Sequence, residues 1–368
     1  MLKKEKLLAA LRLQKTVSVG PIQAKKLIRA TGSVEQIFEE KTKNLAKIEG
    51  IGLRPLLQLK DPETKAKAIK ELEYIEKNAI DTVYFLDPDY PRNLAQCIDS
   101  PILFFKEGNL NFSNPKIISI VGTRKMTSYG RAICKELIDG LAIHNPIVVS
   151  GFAYGVDICA HTAAIENKLQ TIAVLAHGFE EIYPKVHKKY MHQVQENGGF
   201  ITEFWHEDPP LREHFIQRNR IVAGISQATL VIESSEKGGS LITADLANSY
   251  SRDVFAVPGR TSDAFSKGCN QLIKNHKAAL VTCADDIAKL LNWDQSVKAK
   301  PAIQKQLFVT LDDTEQKVYD YLLKEGKQLL DVIALDCQIR LPVLASLLFQ
   351  LEMKGLVRPL PGKLFEAV

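Results

Sequence analysis

From about residue 82 onward, short apolar runs alternate with stretches whose apolar residues recur at helical spacing. The runs are KIISIVG (116–122), PIVVSG (146–151), TIAVLAHG (171–178), GFITEF (199–204), ATLVIES (228–234), DVFAVPG (253–259) and AALVT (278–282). Continuous apolar runs of this length suit strands buried on both faces. Strand, helix, strand repeated at this rate predicts an α/β fold, a doubly wound, mostly parallel sheet with helices on both faces. Before it, residues 1–80 read as short helices. VSVGPIQAKKLI (17–28) and LAKIEGIGLRPLL (45–57) form two candidate helical hairpins, each turning at glycine. A helix-hairpin-helix turn offers backbone N–H groups to a DNA phosphate, and a purely structural hairpin fits the same pattern.

After the sheet, Trp293 to Val309 is polar and rich in Lys and Gln, which predicts a linker over 293–310. Thr314–Glu325, Gln328–Leu335 and Leu341–Lys354 then read as three amphipathic helices. Gly355–Val368 reads as a two-stranded wing turning at Pro361-Gly362. Helices followed by a hairpin outline a winged helix over 311–368, a form that commonly reads DNA. Its charge argues otherwise. The segment holds seven Lys or Arg against nine Asp or Glu, and its would-be recognition helix has cations only at Arg340 and Lys354. A protein-contact or packing role fits this helix better than groove reading.

Length and composition add bounds. The 368 residues suffice for two or three domains with their own cores. No apolar run reaches the roughly eighteen residues of a membrane span, and the start MLKKEKLLAALRLQK has no cleavable signal pattern. Cys97, Cys134, Cys159, Cys269, Cys283 and Cys337 form no C-x-x-C and mostly sit in apolar stretches. Buried free thiols in the cytoplasm are the expectation. The net charge of +5 is unevenly spread: residues 1–30 carry eight Lys or Arg against Glu5 alone. A basic arm of this kind suits a polyanionic partner, and it equally suits a solvated helix face.

The candidate chemistry lies at strand ends, where ligands of such sheets sit. In ATLVIESSEKGGSLITADLANSYSRDVFAVPG (228–259), a strand feeds a Gly-Gly-Ser turn into a helix start. Backbone N–H groups and the helix dipole converge there, with Lys237, Ser240 and Thr243 as further donors, so the turn suits a phosphate. Gly238 and Gly239 allow close approach. In VGTRKMTSYG (121–130), Gly122 follows a strand and Arg124 opens a helix. The spacing is not that of a dinucleotide site, and the planar fork of Arg124 suits phosphate.

SGFAYGVDICAH (150–161) places Asp157 to cap a helix and His161 one turn on, which predicts a structural hydrogen bond rather than acid–base chemistry. AHGFEEIYPKVHKKY (176–190) mixes His177, Tyr183, Lys185, His187, Lys188 and Lys189, basic and aromatic groups that suit a single nucleic-acid strand. No metal ligand set is complete. PPLREHFIQRNRIVAG (209–224) supplies Arg212, Arg218, Asn219 and Arg220. The last three either brace loops through backbone carbonyls or touch phosphate. Helical geometry points Arg218 and Arg220 to different sides, so one of them reaches the ligand.

SIVGTRKMTSYGR, SGFAYGVDICAH, YPKVH, HFIQRNRIVAG, EKGGSLITADLA and KGCNQLI, in this order, resemble the DNA-processing protein A family (DprA, also called Smf). The resemblance implies an extended Rossmann fold over 81–292, behind a sterile-alpha-motif-like domain at 1–80 and ahead of the winged helix. It implies a protein without catalytic residues, metal or cofactor. Such a protein binds single-stranded DNA, forms a homodimer through the 268–291 end, and loads the RecA recombinase during natural transformation. By the same carry-over Arg124 and Lys185 hold the DNA backbone and the Gly239-Ser240 helix start supplies N–H groups. Arg212 and Lys237 are added on charge and position. His187, the Ala176-His177-Gly178 triplet and Cys269 depart from the family pattern. The alternative is a phosphoribohydrolase-like enzyme that cleaves nucleoside monophosphates, but EKGGSLITADLA lacks the Glu-Glu pair of that loop.

Overall fold

The computed structural model describes residues 3–293, 311–360 and 362–367, and the chain divides into two compact units at Asp294 and Gln295. In the first unit the strands are β1 (Asp81–Tyr84), β2 (Leu103–Gly108), β3 (Ile117–Val121), β4 (Ile147–Ser150), β5 (Thr171–Val174), β6 (Gly198–Thr202), β7 (Ala228–Val231), β8 (Asp253–Ala256) and β9 (Ala279–Leu280). They form one sheet in the order β1-β2-β6-β5-β4-β3-β7-β8-β9, parallel from β6 to β9, with β2 antiparallel to both β1 and β6. Every predicted run forms a strand. β1 and β2 extend the sheet beyond those runs.

Side chains alternate between two cores, as a pleated strand requires. Ile118 and Ile120 of β3 face the helices Ser128–Leu141 and Val156–Glu166. Ile117 and Val121 face the helices Arg212–Ile225 and Gly239–Ser249. No single helix among the described residues is long and apolar enough to cross a membrane.

The boundary expected at residue 80 does not separate two cores. Leu7, Leu11, Leu27 and Leu72 of the N-terminal helices share one hydrophobic cluster with Leu103 and Phe105 of β2 and with Trp205. Half of the basic arm is engaged within the unit. Lys15 Nζ pairs with Asp208 at 2.6 Å, Lys4 pairs with Glu76 at 2.8 Å, and Arg12 lies 3.8 Å over the Phe38 ring. Lys25 is buried and donates to Ser100 Oγ at 2.5 Å and to the carbonyls of Cys97 and Ile98. These cations fasten helices to one another and to the sheet.

Trp293, the first residue of the expected linker, is buried in the core beside Ile287, and its Nε1 donates to Gln227 Oε1 at 3.0 Å. Residues 294–310 lie outside the described residues. The second unit has helices Asp313–Glu325, Leu330–Asp336 and Leu341–Met353 and strands β10 (Gln328–Leu329), β11 (Val357–Leu360) and β12 (Leu364–Ala367), ordered β10-β12-β11. A short strand, β10, therefore joins the predicted two-stranded wing. Lys354 pairs with Glu315 at 2.5 Å, so one of the two recognition-helix cations is engaged within the unit.

Burial, with Arg220 nearby, pushes the Lys25 ammonium down to about 8 from 10.5. Between those values the unfolded chain holds the proton more tightly, so stability rises with pH in that window. In urea denaturation, the gap between the parent and Lys25→Met should shift in the parent's favour as pH climbs from 8 toward 10.5. A gap that stays constant across the window contradicts the burial of this charge.

Candidate nucleic-acid interface

On one side of β3 the chain winds to β4, β5 and β6, and on the other it continues to β7 and β8. Strand order thus reverses at β3, and a doubly wound sheet opens a crevice beyond the carboxyl ends of its strands there. A cleft of about 680 Å³ occupies that place. It is lined by the loops after β3, β4 and β7 and by one face of the helix Arg212–Ile225.

Of the expected residues, Gly122, Arg124, Arg212, Arg218, Lys237, Gly239, Ser240 and Thr243 line the cleft, and Lys185 and Arg220 do not. Lys185 is exposed at the start of a 3-10 turn, two residues past Tyr183, which does line it. Arg220 points to the opposite side of its helix, where it is buried and paired with the equally buried Glu203. Two positions on a helix are separated by about 200°, which is why neighbours one apart in Arg-Asn-Arg part company.

Arg218 is buried, and its Nη1 donates to the carbonyls of Gly151, at 2.6 Å, and Val174. It ties the ends of β4 and β5 together beneath the cleft. Burial pushes its guanidinium down to about 10, still charged at neutral pH. Asp157 is buried too, and its carboxyl is raised, with desolvation outweighing the opposing pull of Arg218. Asp157 Oδ2 accepts from Ala153 N at 3.2 Å, while His161 Nδ1 meets Thr171 Oγ1 at 2.7 Å. The Asp157–His161 bond expected from their spacing is not made. His177 and His187 are buried as well, each bonded through Nδ1 to a backbone carbonyl. Among the described residues no group of His, Cys, Asp and Glu could hold a metal ion.

The glycines differ in what they answer to. A β-carbon at Gly122 would lie 2.4 Å from Val156 Cγ2 and 2.9 Å from the Glu233 carbonyl, so close packing requires this glycine. At Gly239 a β-carbon would meet nothing within 4 Å. Nothing in the protein requires the absence of a side chain there, at the first residue of the helix Gly239–Ser249. The hydroxyl of Ser240 is engaged, donating to Ser234 Oγ at 2.9 Å, so the helix start offers backbone N–H groups in preference to side chains.

Arg124, Arg212 and Lys237 are exposed, with no ion-pair partner among the described residues. Asp157 is the one acidic residue in the lining. Phe215 was not singled out from the sequence. Its ring lies 5.0 Å from the Arg124 guanidinium and 5.5 Å from the Tyr183 ring, so it braces both. Its signal was helical spacing: Arg212, Phe215, Asn219 and Val222 share one face, and all line the cleft. This arrangement suits a phosphate at the helix start, cations around it and an aromatic surface beside it.

Residues 81–292 match the family described as DNA recombination-mediator protein A, and residues 302–363 match the DprA winged helix domain. The DNA processing protein DprA of Streptococcus pneumoniae is 38% identical over 202 residues, covering 55% of this chain and 71% of that protein. The X-ray structure of DNA processing protein A from Streptococcus pneumoniae superposes with a TM-score of 0.66 at 30% identity, covering 78% of this chain and 98% of that one. DNA processing protein A from Helicobacter pylori, studied for its unique single-stranded DNA binding mode, superposes with a TM-score of 0.53 at 26% identity over 58% of this chain and 96% of that one.

Arg220→Met strips the buried Glu203 of its partner, and breaking such a pair costs about 3–5 kcal/mol. Urea denaturation should show that loss, while the folded variant binds polyanions like the parent. Unchanged stability would contradict the assignment of Arg220 to the interior.

Proposed function

The chain belongs to the DNA recombination-mediator protein A family, and from that premise we propose that its cleft holds single-stranded DNA and leaves the strand uncut. One observation carries the reading. Exposed Arg124, Arg212 and Lys237, without an ion-pair partner among the described residues, line one cleft with Phe215, Tyr183 and Gly239, and the space at the Gly239 β-carbon position is open. Cations meet phosphates, and flat rings meet exposed bases. The fixed helix start holds one phosphate through its N–H groups.

The family resemblance supports the finer parts of the reading. The protein protects incoming DNA in the cytoplasm, loads a RecA recombinase onto it, and serves natural transformation without catalysing a reaction. Two copies pair through the 268–291 end, where edge strand β9 is exposed and Leu280 and Leu290 are each 50% exposed. Lys185 remains in this account as a contact to strand emerging past Tyr183.

The raised carboxyl of Asp157 in a phosphate-suited cleft is the observation that favours an enzyme instead. Its oxygen is engaged by Ala153 N, and a second carboxylate does not stand beside it in the lining. Free base released from nucleoside monophosphates in proportion to protein would establish the enzymatic reading.

Binding to oligothymidine should weaken with salt at a log–log slope of about −0.7 per phosphate contacted. Arg124→Ala should cost about 1.5–3 kcal/mol of that binding, and Phe215→Ala should weaken it by releasing Arg124 and Tyr183, which its ring braces. Fluorescence anisotropy measures both. Parent-like affinity in both variants would defeat the assignment of the cleft.

A further inference from the structure

The two glycine turns of the N-terminal helices look alike in sequence, and the structure separates them. At the first, Gly20 is exposed, but the cations beside it are already engaged. Gly20 and Pro21 line a crevice with Trp205 and Asp208, and Lys15 and Lys25 beside them are engaged by Asp208 and Ser100. The second turn differs in its cations. Gly50, at φ +79°, and Gly52 are exposed, and the short helix Leu53–Gln58 follows. The Lys26 ammonium stands 3.1 Å from where a β-carbon of Gly50 would be, so a cation from the first hairpin lies over the second turn.

Lys47 and Arg54 flank the turn on either side, with Lys43 and Lys60 beyond them, all exposed. None of these five has an ion-pair or hydrogen-bond acceptor among the described residues, and Glu49 is the one acid between 41 and 60. Gathering like charges on one turn is unfavourable without a counter-anion. None of these residues belongs to the cleft lining.

We propose that the Gly50–Gly52 turn is a second polyanion-binding surface that takes the phosphate backbone of DNA. The left-handed glycine leaves the backbone bare for close approach, and the cations surround it on three elements of sequence. Leu53 and Leu57, each 68% exposed, lie one helical turn apart beside it. A helix of this length is too short for the wide apolar face that binds a lipid surface. The inference rests on the strand-binding reading above for its class of ligand, and it places a longer nucleic acid on two surfaces of one chain.

The test titrates the full chain with three DNA ligands, a short oligothymidine that fills only the cleft, a long one and a duplex, and separately with phosphatidylserine vesicles. The variants are Lys26→Ser/Lys47→Ser/Arg54→Ser and, separately, Arg124→Ala. The triple variant should bind the short strand like the parent. It should lose about tenfold for each contact removed on the long strand or the duplex. Whichever of those two ligands responds identifies the backbone the turn takes. Arg124→Ala should weaken the short strand, and its failure to do so would count against the cleft while leaving the turn standing. Parent-like binding of all three ligands by the triple variant overturns the proposal. So does a loss confined to phosphatidylserine vesicles, which would make the turn a lipid contact.

Discussion

The reversal of strand order at β3 is the constraint on which the site depends. Helices after β3 and β4 cross one face of the sheet, while the helix after β7 crosses the other. Their loops must diverge at the carboxyl ends, and the space between them cannot be filled by the connections themselves. Gly122, Arg124, Lys237 and Gly239 sit on those diverging loops, so the sheet brings together residues more than a hundred positions apart. The cationic character of the cleft is a property of the loops; its existence is a property of the winding.

Buried polar bonds keep the loops in place. Arg218 clamps the ends of β4 and β5 from beneath, and Glu233 accepts from Thr127 N at 2.9 Å and from Thr127 Oγ1. The Thr123 N–H donates to the Glu233 carbonyl at 2.8 Å, closing the β3 loop onto the end of β7. A site fixed in this way loses little conformational freedom on binding, so more of each contact appears as affinity. Arg218 and Arg220 show how the same residue type divides its work. One supports the floor of the cleft, and the other stabilises the helix from its far side with Glu203.

The parallel strands were legible because burial on both faces leaves an unbroken apolar run, as in IISIV and ATLV. The phosphate-suited turn was legible because its glycines and helix start are contiguous. Phe215 and Tyr183 meet across sequence, and no local pattern encodes that meeting. The docking of the N-terminal helices was hidden for a related reason. An amphipathic stripe shows that a face is buried, and it does not show whether helices or a sheet cover it. Lys25 misled most, since a lysine usually reads as solvated surface and here it caps backbone carbonyls inside the protein.

If the cleft takes a DNA strand as proposed, a phosphate of that strand occupies the open space over Gly239. Gly239→Leu places a side chain there that meets no protein atom at its β-carbon, so stability should hold within about 0.5 kcal/mol. Anisotropy titration of this variant with a short oligothymidine is the most direct measurement. The variant should fold, and its strand affinity should fall by about tenfold or more, as expected for a lost charge-assisted contact. A stable variant that binds the strand as tightly as the parent would contradict that placement of the phosphate.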